Sequence, residues 1–484
     1  MSYDRIMRLA LEKGFFFPSS EIYSGPAGFW EYGPLGVGFR NKFVEVWRRE
    51  LLRKDGMLEI DGSQIMTKDV FRASGHLDSF TDPIVKCKKC GSIFRADRLV
   101  SEKTGTLVTE GSSEKELDDL IEKHLIRCSK CGADFGGTKK FNLMMSVEIG
   151  GDKEEAYLRS ETCQSIFVDF LRIFKVMRCK LPVAIAQFGK SFRNEISPRQ
   201  SMIRLREFYQ CEIEIFFNPN QSDVFQKYDG ISKNRLRVCL DGKKSQNMSC
   251  SELLKKGILP SQMIAYYLVL LQSFYEKTGL DMTRARFRLL SDAERAFYSS
   301  FAFDFEVETS MGWTELVACN YRTDYDLVRH GQTSGREHSV MDGEAQVVPH
   351  IFELSMGVDR SIWAILEHSL TKHEERDVLE LKPYLAPIQI GVFPLVNRDG
   401  MEEKAAEVLS KIRKDFNAFY DRSGSIGRRY RRADEIGVPK CLTIDTETLA
   451  NDTVTIRDRD SMKQSRVHLD ELRGILNTTF LFPD

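Results

Sequence analysis

The sequence predicts an α+β protein in which an antiparallel sheet flanked by helices is interrupted by a cysteine-bearing insertion and followed by a separate α/β domain. Three observations carry this. Residues 183–217 hold two strand-like runs, each with one apolar and one polar face, joined by a long loop. Cys87, Cys90, Cys128 and Cys131 form two Cys-x-x-Cys pairs within one short stretch. Beyond Pro383 and Pro387 the pattern changes to alternating strands and helices.

The totals set limits. A chain of 484 residues holds two to four domains. A net charge of −1 gives no global field toward or against nucleic acid, so any basic surface is local. The longest apolar run, IAYYLVLLQSF at 264–274, is too short to span a bilayer and reads as a buried helix. The first twenty residues carry acids and no cleavable apolar core. Outside the two pairs the cysteines are scattered singly, which suits a reducing compartment. A cytoplasmic protein with no membrane partner is expected.

Each element follows from its pattern. The first segment contains an amphipathic helix and then GFWEYGPLGVGFRNKFVEVWRRELLRKDG, where Phe39, Phe43, Val46, Trp47 and Leu51 recur at helical spacing after Gly33-Pro34. That stripe serves either a core or a dimer interface. In the insertion, EKELDDLIEKHL reads as a short surface helix. Four thiolates in two knuckles suit tetrahedral Zn²⁺, closed and structural, and staple a segment too small for its own core. A redox role is the alternative, and His124 ranks below the cysteines as a ligand. A helical stretch is expected over 250–280, followed by the alternating runs FAFDFEVE and GWTELVAC and by a strand running into a helix, PHIFELSMGVDRSIWAILEHSL.

The polar faces carry the functional signal. In the second strand of 183–217, Arg204, Arg206, Phe208, Gln210, Glu212 and Glu214 share one parity; in the first, Gln187, Ser191, Arg193 and Glu195 do. A solvated sheet face is one reading. Arginine alternating with phenylalanine and glutamate also suits a surface that clamps phosphates and stacks bases. In IFELSM, Glu353 and Ser355 point one way, and Arg360 occupies the first turn of the next helix, where an anion would sit well. Glu161 lies in a polar turn before an apolar helix, Glu315 on a strand, and Arg322 just past its end. Capping and plain ion pairing are the alternatives for these three. GRRYRR at 427–432 sets four arginines around Tyr430, suited to phosphate contact and base stacking or to a solvated basic loop.

FRNE followed by RLREF is similar to motif 2 of class II aminoacyl-tRNA synthetases; GVDR opening a helix resembles motif 3, and GPLG before a long helix resembles motif 1. EYGPLG, SGH with FTDP, YLRSETCQ, GKSFRNEISPR, RTDYDL and GSIGRRYRRADEIG extend the likeness over nearly the whole chain, to the glycyl-tRNA synthetases of the archaeal and eukaryotic-like dimeric branch. Ser160 and Cys163 depart from that family's usual proline and alanine, Leu354 from its proline, and VACNYRT from its run ending ADRT.

The resemblance implies a class II synthetase fold divided into 1–80 (motif 1), 81–140 (zinc insertion), 141–217 (motif 2), 218–300 (helical insertion), 301–380 (motif 3) and 388–484 (anticodon binding). It implies a homodimeric ligase that activates glycine with ATP and transfers it to tRNA-Gly. Arg193 would hold the α-phosphate, Glu195 with Asn194 the adenine side, and Arg204 the outer phosphates. Phe208 would stack under adenine, and Arg360 would cover its other face or hold the γ-phosphate. Arg193 and Arg360 would carry catalysis. Leu316 and Gly357 would complete the ATP site, and Glu315 would bind Mg²⁺. Glu161, Glu212 and Glu353, with Ser355, would surround the glycine ammonium; Arg322 would anchor its carboxylate, with Arg95 assisting. Arg428, Arg429 and Tyr430 would meet tRNA. Three rivals remain. A synthetase-like binding protein without ligase activity is opposed by the retained Arg193, Arg360, Glu161, Glu212 and Glu353. A ligase for another small amino acid is opposed by the carboxylate count. A non-catalytic zinc protein leaves the furnished strand faces unexplained.

Overall fold

The computed structural model describes residues 3–105, 108, 112–196, 198, 201–242, 244–373 and 376–483. Its centre is a nine-stranded sheet made of β1 (Leu58–Ile60), β2 (Val183–Phe192), β3 (Glu207–Phe217), β4 (Arg235–Cys239), β5 (Gln246–Ser249), β6 (Ala285–Leu289), β7 (Phe301–Thr309), β8 (Gly312–Thr323) and β9 (His350–Gly357), in the order β5-β4-β6-β7-β8-β9-β3-β2-β1. All neighbours are antiparallel except β2 with β1 and β4 with β6. β2 pairs with β3 from Val183 opposite Phe216 to Phe192 opposite Glu207, so the alternation read from sequence becomes two continuous sheet faces.

One face is apolar. Ala184, Ala186, Cys211, Ile213, Ile215 and Leu354 join the main core beneath three helices: α1 (Pro34–Trp47), α3 (Gln262–Thr278) and α4 (Val358–Ser369). The stripe of α1 and its continuation over Arg48–Arg53 points into this core: Phe39, Phe43, Trp47 and Leu51 are fully buried. The glycines of GPLG let the helix start close to the chain before it, since a Cβ on Gly33 or Gly36 would lie 2.3 Å or 1.8 Å from the carbonyl oxygen of Gly14 or Phe15.

The opposite face is polar but covered at one end. Helix α2 (Cys163–Val176) lays Phe167 and Phe170 on Phe216, with Phe170 stacked at 4.2 Å between ring centroids. This cover buries Glu212, Glu214 and Glu353 and leaves a cavity beside them.

Several expectations need correction. Residues 218–300 are not simply a helical insertion: they hold α3, but also β4, β5 and β6, which extend the central sheet. The cysteine-bearing insertion has a core of its own, in which Val85, Val100, Leu117 and Phe135 are buried with Cys87 and Cys128. Its helix Glu114–Lys123 is capped reciprocally by Ser113 and Glu116. In the C-terminal module the run MEEKAAEVLSKIRKDFNAFYD, whose pattern reads as a single helix, splits into helix Met401–Ile412 and the edge strand Ala418–Tyr420. That module is a five-stranded sheet, parallel on one side and antiparallel on the other, with its own core of Ile390, Val392, Leu442 and Val454.

Candidate active site

One cavity over the polar sheet face gathers Glu161, Arg193, Glu195, Arg204, Phe208, Glu315, Glu353, Ser355, Gly357 and Arg360. β9 supplies Glu353 and Ser355, and the helix that follows directly supplies Arg360. The Arg360 guanidinium donates to the carbonyl oxygens of Ile203 (3.1 Å) and Glu315 (3.2 Å) and lies 3.2 Å from the Glu315 carboxylate. Arg193 follows β2; its Nε donates to the Ser160 carbonyl at 3.2 Å, and its guanidinium lies 5.3 Å and 5.2 Å from the rings of Phe80 and Phe208. Glu195 accepts from Arg204 Nε at 2.5 Å. This end of the cavity is cationic and aromatic.

Glu315 reaches it through a bulge. Phe305 opposes Val317, but Glu306 opposes Glu315, so Leu316 is an extra residue in β8. Glu315 therefore shares the cavity with Ala318 and Asn320 despite its parity. Leu316, expected in the nucleotide site, turns into the main core at 1% exposure because the bulge rotates it there.

The other end is acidic. Glu212 accepts from Thr162 Oγ1 (2.6 Å), Gln210 Nε2 (3.0 Å) and Ser355 Oγ (2.5 Å). It lies behind Ser355 and does not line the cavity. Glu161 accepts from Gln164 Nε2 (2.8 Å) and the Cys163 thiol (3.0 Å), and stands 3.4 Å from His76 Nε2. Burial pushes its carboxyl up, but His76 and Arg322 outweigh burial and hold it well below the ordinary carboxylate range. Burial takes Glu353 the other way, up to about 8, against the pull of Arg322. Burial also holds the Cys163 thiol neutral, as its bond to Glu161 requires.

Some expected residues lie elsewhere. Arg322 is fully buried and engaged by carboxylates: Nε and Nη2 donate to Asp326 (2.7 and 2.9 Å) and Nη1 to Glu353 (2.8 Å). It does not line the cavity but stands directly behind its acidic wall, where it orders Glu353 and lies 3.8 Å from Glu161. Arg95 is buried against Asp82 and Asp97, outside the cavity, and Asn194 also lies off its wall. The cavity adds residues that local pattern did not mark as ligands: Gln210, Tyr298, Asn320 and Asp359. Asn320 Nδ2 donates to Glu353 Oε2 at 2.7 Å. Asp359, pushed up to about 6 by burial, takes the Tyr32 hydroxyl (2.5 Å) and the Tyr209 amide (2.6 Å), tying the EYGPLG segment to β3.

The four paired cysteines meet at the base of the insertion. Their sulfurs lie within 4.8 Å of one another, with Cys87 to Cys131 at 3.4 Å and Cys90 to Cys128 at 3.7 Å. A tetrahedron of Zn–S bonds places sulfurs about 3.8 Å apart, so this donor set fits Zn²⁺. In the C-terminal module GRRYRR is not a loop but lies within helix Ile426–Glu435. Arg428 is exposed, whereas Arg429 is buried and donates to the carbonyls of Pro394 and Gly424. Tyr430 is half-buried, its hydroxyl 2.5 Å from Thr443 Oγ1. No described helix is long and apolar enough to cross a membrane.

Comparison with known proteins agrees with this layout. Residues 145–239 match the family model "tRNA synthetase class II core domain (G, H, P, S and T)", and residues 389–479 match "Anticodon binding domain". The chain is 40% identical to a glycine–tRNA ligase of Methanocaldococcus jannaschii and 38% identical to one of Pyrococcus abyssi, each over 97% of both chains. It is 36% identical to that of Methanothermobacter thermautotrophicus over 98% of both. Among solved structures, the RNA binding domain of threonyl-tRNA synthetase from Cryptosporidium parvum superposes with a TM-score of 0.62 at 19% identity, covering 99% of this chain and 98% of that one. The prolyl-tRNA synthetase of the same organism gives 0.60 at 12% identity, over 99% and 75%. These two share the fold.

Proposed function

Since the chain belongs to the family of glycine–tRNA ligases, we propose that it joins glycine to the 3′ end of tRNA-Gly in two steps driven by ATP. The observation that carries this reading is one cavity with arginines and a phenylalanine at one end and a carboxylate group at the other.

In the first step a carboxylate oxygen of glycine attacks the α-phosphorus of ATP. The bond to pyrophosphate breaks, leaving glycyl-adenylate. No protein nucleophile is needed; positioning and charge stabilisation suffice. Arg193 would grip the α-phosphate, with Arg204 and Arg360 toward the outer phosphates. Phe208 would carry the adenine, and Glu195 and the Gly357 backbone would border it. The glycine ammonium would be received by Glu161, Glu353 and Ser355, with Glu212 acting through Ser355. In the second step a hydroxyl of the terminal tRNA ribose attacks the glycyl carbonyl, and AMP departs.

Glu315, part-exposed on the cavity and opposite Glu306, has the chemistry to hold Mg²⁺, which would neutralise the triphosphate. Zn²⁺ at the four cysteines would fix the insertion without taking part in the reaction. Arg428 offers an exposed cation for the tRNA in the C-terminal module. The likeness to dimeric synthetases supports a homodimer, and cysteines that form no disulfide among the described residues support a reducing cytoplasm.

Exchange of pyrophosphate into ATP tests the reading. Exchange should depend on glycine, with little from alanine or serine. Equal exchange with alanine would end the glycine assignment, and none with any amino acid, tRNA included, would overturn catalysis.

A further inference from the structure

Between β6 and β7 the chain passes through SDAERAFYSS, residues 291–300, which has no regular structure and which no motif explains. It delivers one side chain to the acidic end of the cavity, Tyr298. The other groups at that end, Glu161, Asn320, Glu353 and Ser355, are polar; Tyr298 is its one aromatic wall among the described residues.

That wall is backed by a cation and anchored by the residues on either side of it in the chain. The Arg322 guanidinium lies 3.8 Å from the Tyr298 ring centroid, and behind it Phe167 closes at 5.0 Å. Arg322 is itself fixed by Asp326 and Glu353. On the chain, Phe297 packs against Tyr325 at 5.7 Å and against Gly75, next to the His76 that pairs with Glu161. After the ring, the Ser300 amide donates to the Tyr321 carbonyl at 2.9 Å. A ring stacked on a buried cation cannot swing aside as a surface tyrosine would.

An enzyme for the smallest amino acid need only refuse bulk, and a polar cup of carboxylates is poor at that because long acidic side chains can shift. A fixed ring is a hard boundary. We propose that Tyr298 is the specificity-determining residue of the amino-acid end: its ring occupies the space a β-carbon would need. The inference rests on the glycine-activating reading above.

The test is amino-acid-dependent pyrophosphate exchange by the full chain, comparing wild type with Tyr298→Ala, Tyr298→Leu and Tyr298→Phe. The ratio of kcat/KM for alanine to that for glycine should rise at least about tenfold in Tyr298→Ala, the scale one methylene is worth in a pocket that can accept it. Tyr298→Phe, which keeps the ring, should retain the wild-type ratio. Tyr298→Leu keeps an apolar side chain on Arg322 and should fall between, so a fold defect in the alanine variant leaves the trend measurable. An alanine-to-glycine ratio unchanged in both Tyr298→Ala and Tyr298→Leu, with glycine exchange intact in the wild type, would overturn the proposal. Absence of glycine exchange in the wild type would instead overturn the reading on which it stands.

Discussion

Arg322 and Glu353 meet at 2.8 Å with neither side chain more than 2% exposed, and the same guanidinium binds Asp326 through two nitrogens. With the Glu353 carboxyl raised to about 8, the ionic partner is Asp326: a buried ion pair adds little net stability, but removing its arginine leaves the Asp326 carboxylate uncompensated. Arg322→Met should therefore lower unfolding free energy by about 3–5 kcal/mol. Arg322→Lys should recover only part, since a point charge cannot span two carboxylates. Denaturant midpoints check this; an unchanged midpoint for Arg322→Met would remove Arg322 from its organising place.

The Glu353 carboxyl, raised to about 8, predicts a pH dependence of glycine binding. An ammonium favours the carboxylate, so below about pH 8 binding must release a proton, and affinity rises with pH by up to about tenfold per unit before levelling. KM for glycine should fall from about pH 6.5 to about pH 8, and Glu353→Gln should flatten the profile while weakening binding. The stability sign is opposite: the folded chain holds the extra proton between its ordinary 4.5 and about 8, so this group's contribution declines as pH rises through that window. A KM flat across the range in the wild type refutes the assignment.

Arg193 lies between Phe80 and Phe208 and has little structural duty beyond one carbonyl. Arg193→Ala should slow glycine-dependent exchange by about 10²–10³-fold, as for other preorganised donors to a charged transition state. The thermal midpoint should barely move. A loss below about fivefold would place the phosphate clamp elsewhere.

Purified protein should contain about one zinc per chain, and chelation should open residues 81–140 to limited proteolysis while the central sheet persists. Cys90→Ser should do the same. A metal-free chain with an equally resistant insertion would rule out the staple.

Neighbouring arginines of the C-terminal helix should behave oppositely. Arg428→Glu, at an exposed position, should weaken tRNA binding with little change in stability. Arg429→Ala should chiefly destabilise, by about 1–3 kcal/mol, because it leaves the buried Pro394 carbonyl without this donor. Filter binding beside thermal melts separates the two; equal loss of tRNA affinity without destabilisation in Arg429→Ala would contradict its inward role.

The sheet faces at 183–217 and 350–357 were legible because strand period two survives any environment. Glu161 and Glu353 could be marked, but nothing in RTDYDL singled out Asp326 as the partner that holds Arg322 behind the cavity wall. Tyr298 could not be found this way, since its value lies in meeting Arg322 across a loop without periodicity. The bulge in β8 was equally silent: nothing in GWTELVAC signals where one residue becomes surplus. Arg429 misled because four arginines read as surface charge, whereas helical geometry turns one of them inward.

The surplus residue in β8 has a bearing on how the gene can vary. Deleting Leu316 would restore plain alternation and leave Glu315 and Trp313 on the face of Ala318 and Asn320, with Glu306 still opposite Glu315. Nucleotide and amino-acid subsites would keep their register, at the cost of one buried leucine in the core. In mutational libraries a one-residue deletion should be better tolerated at this point than elsewhere along β8.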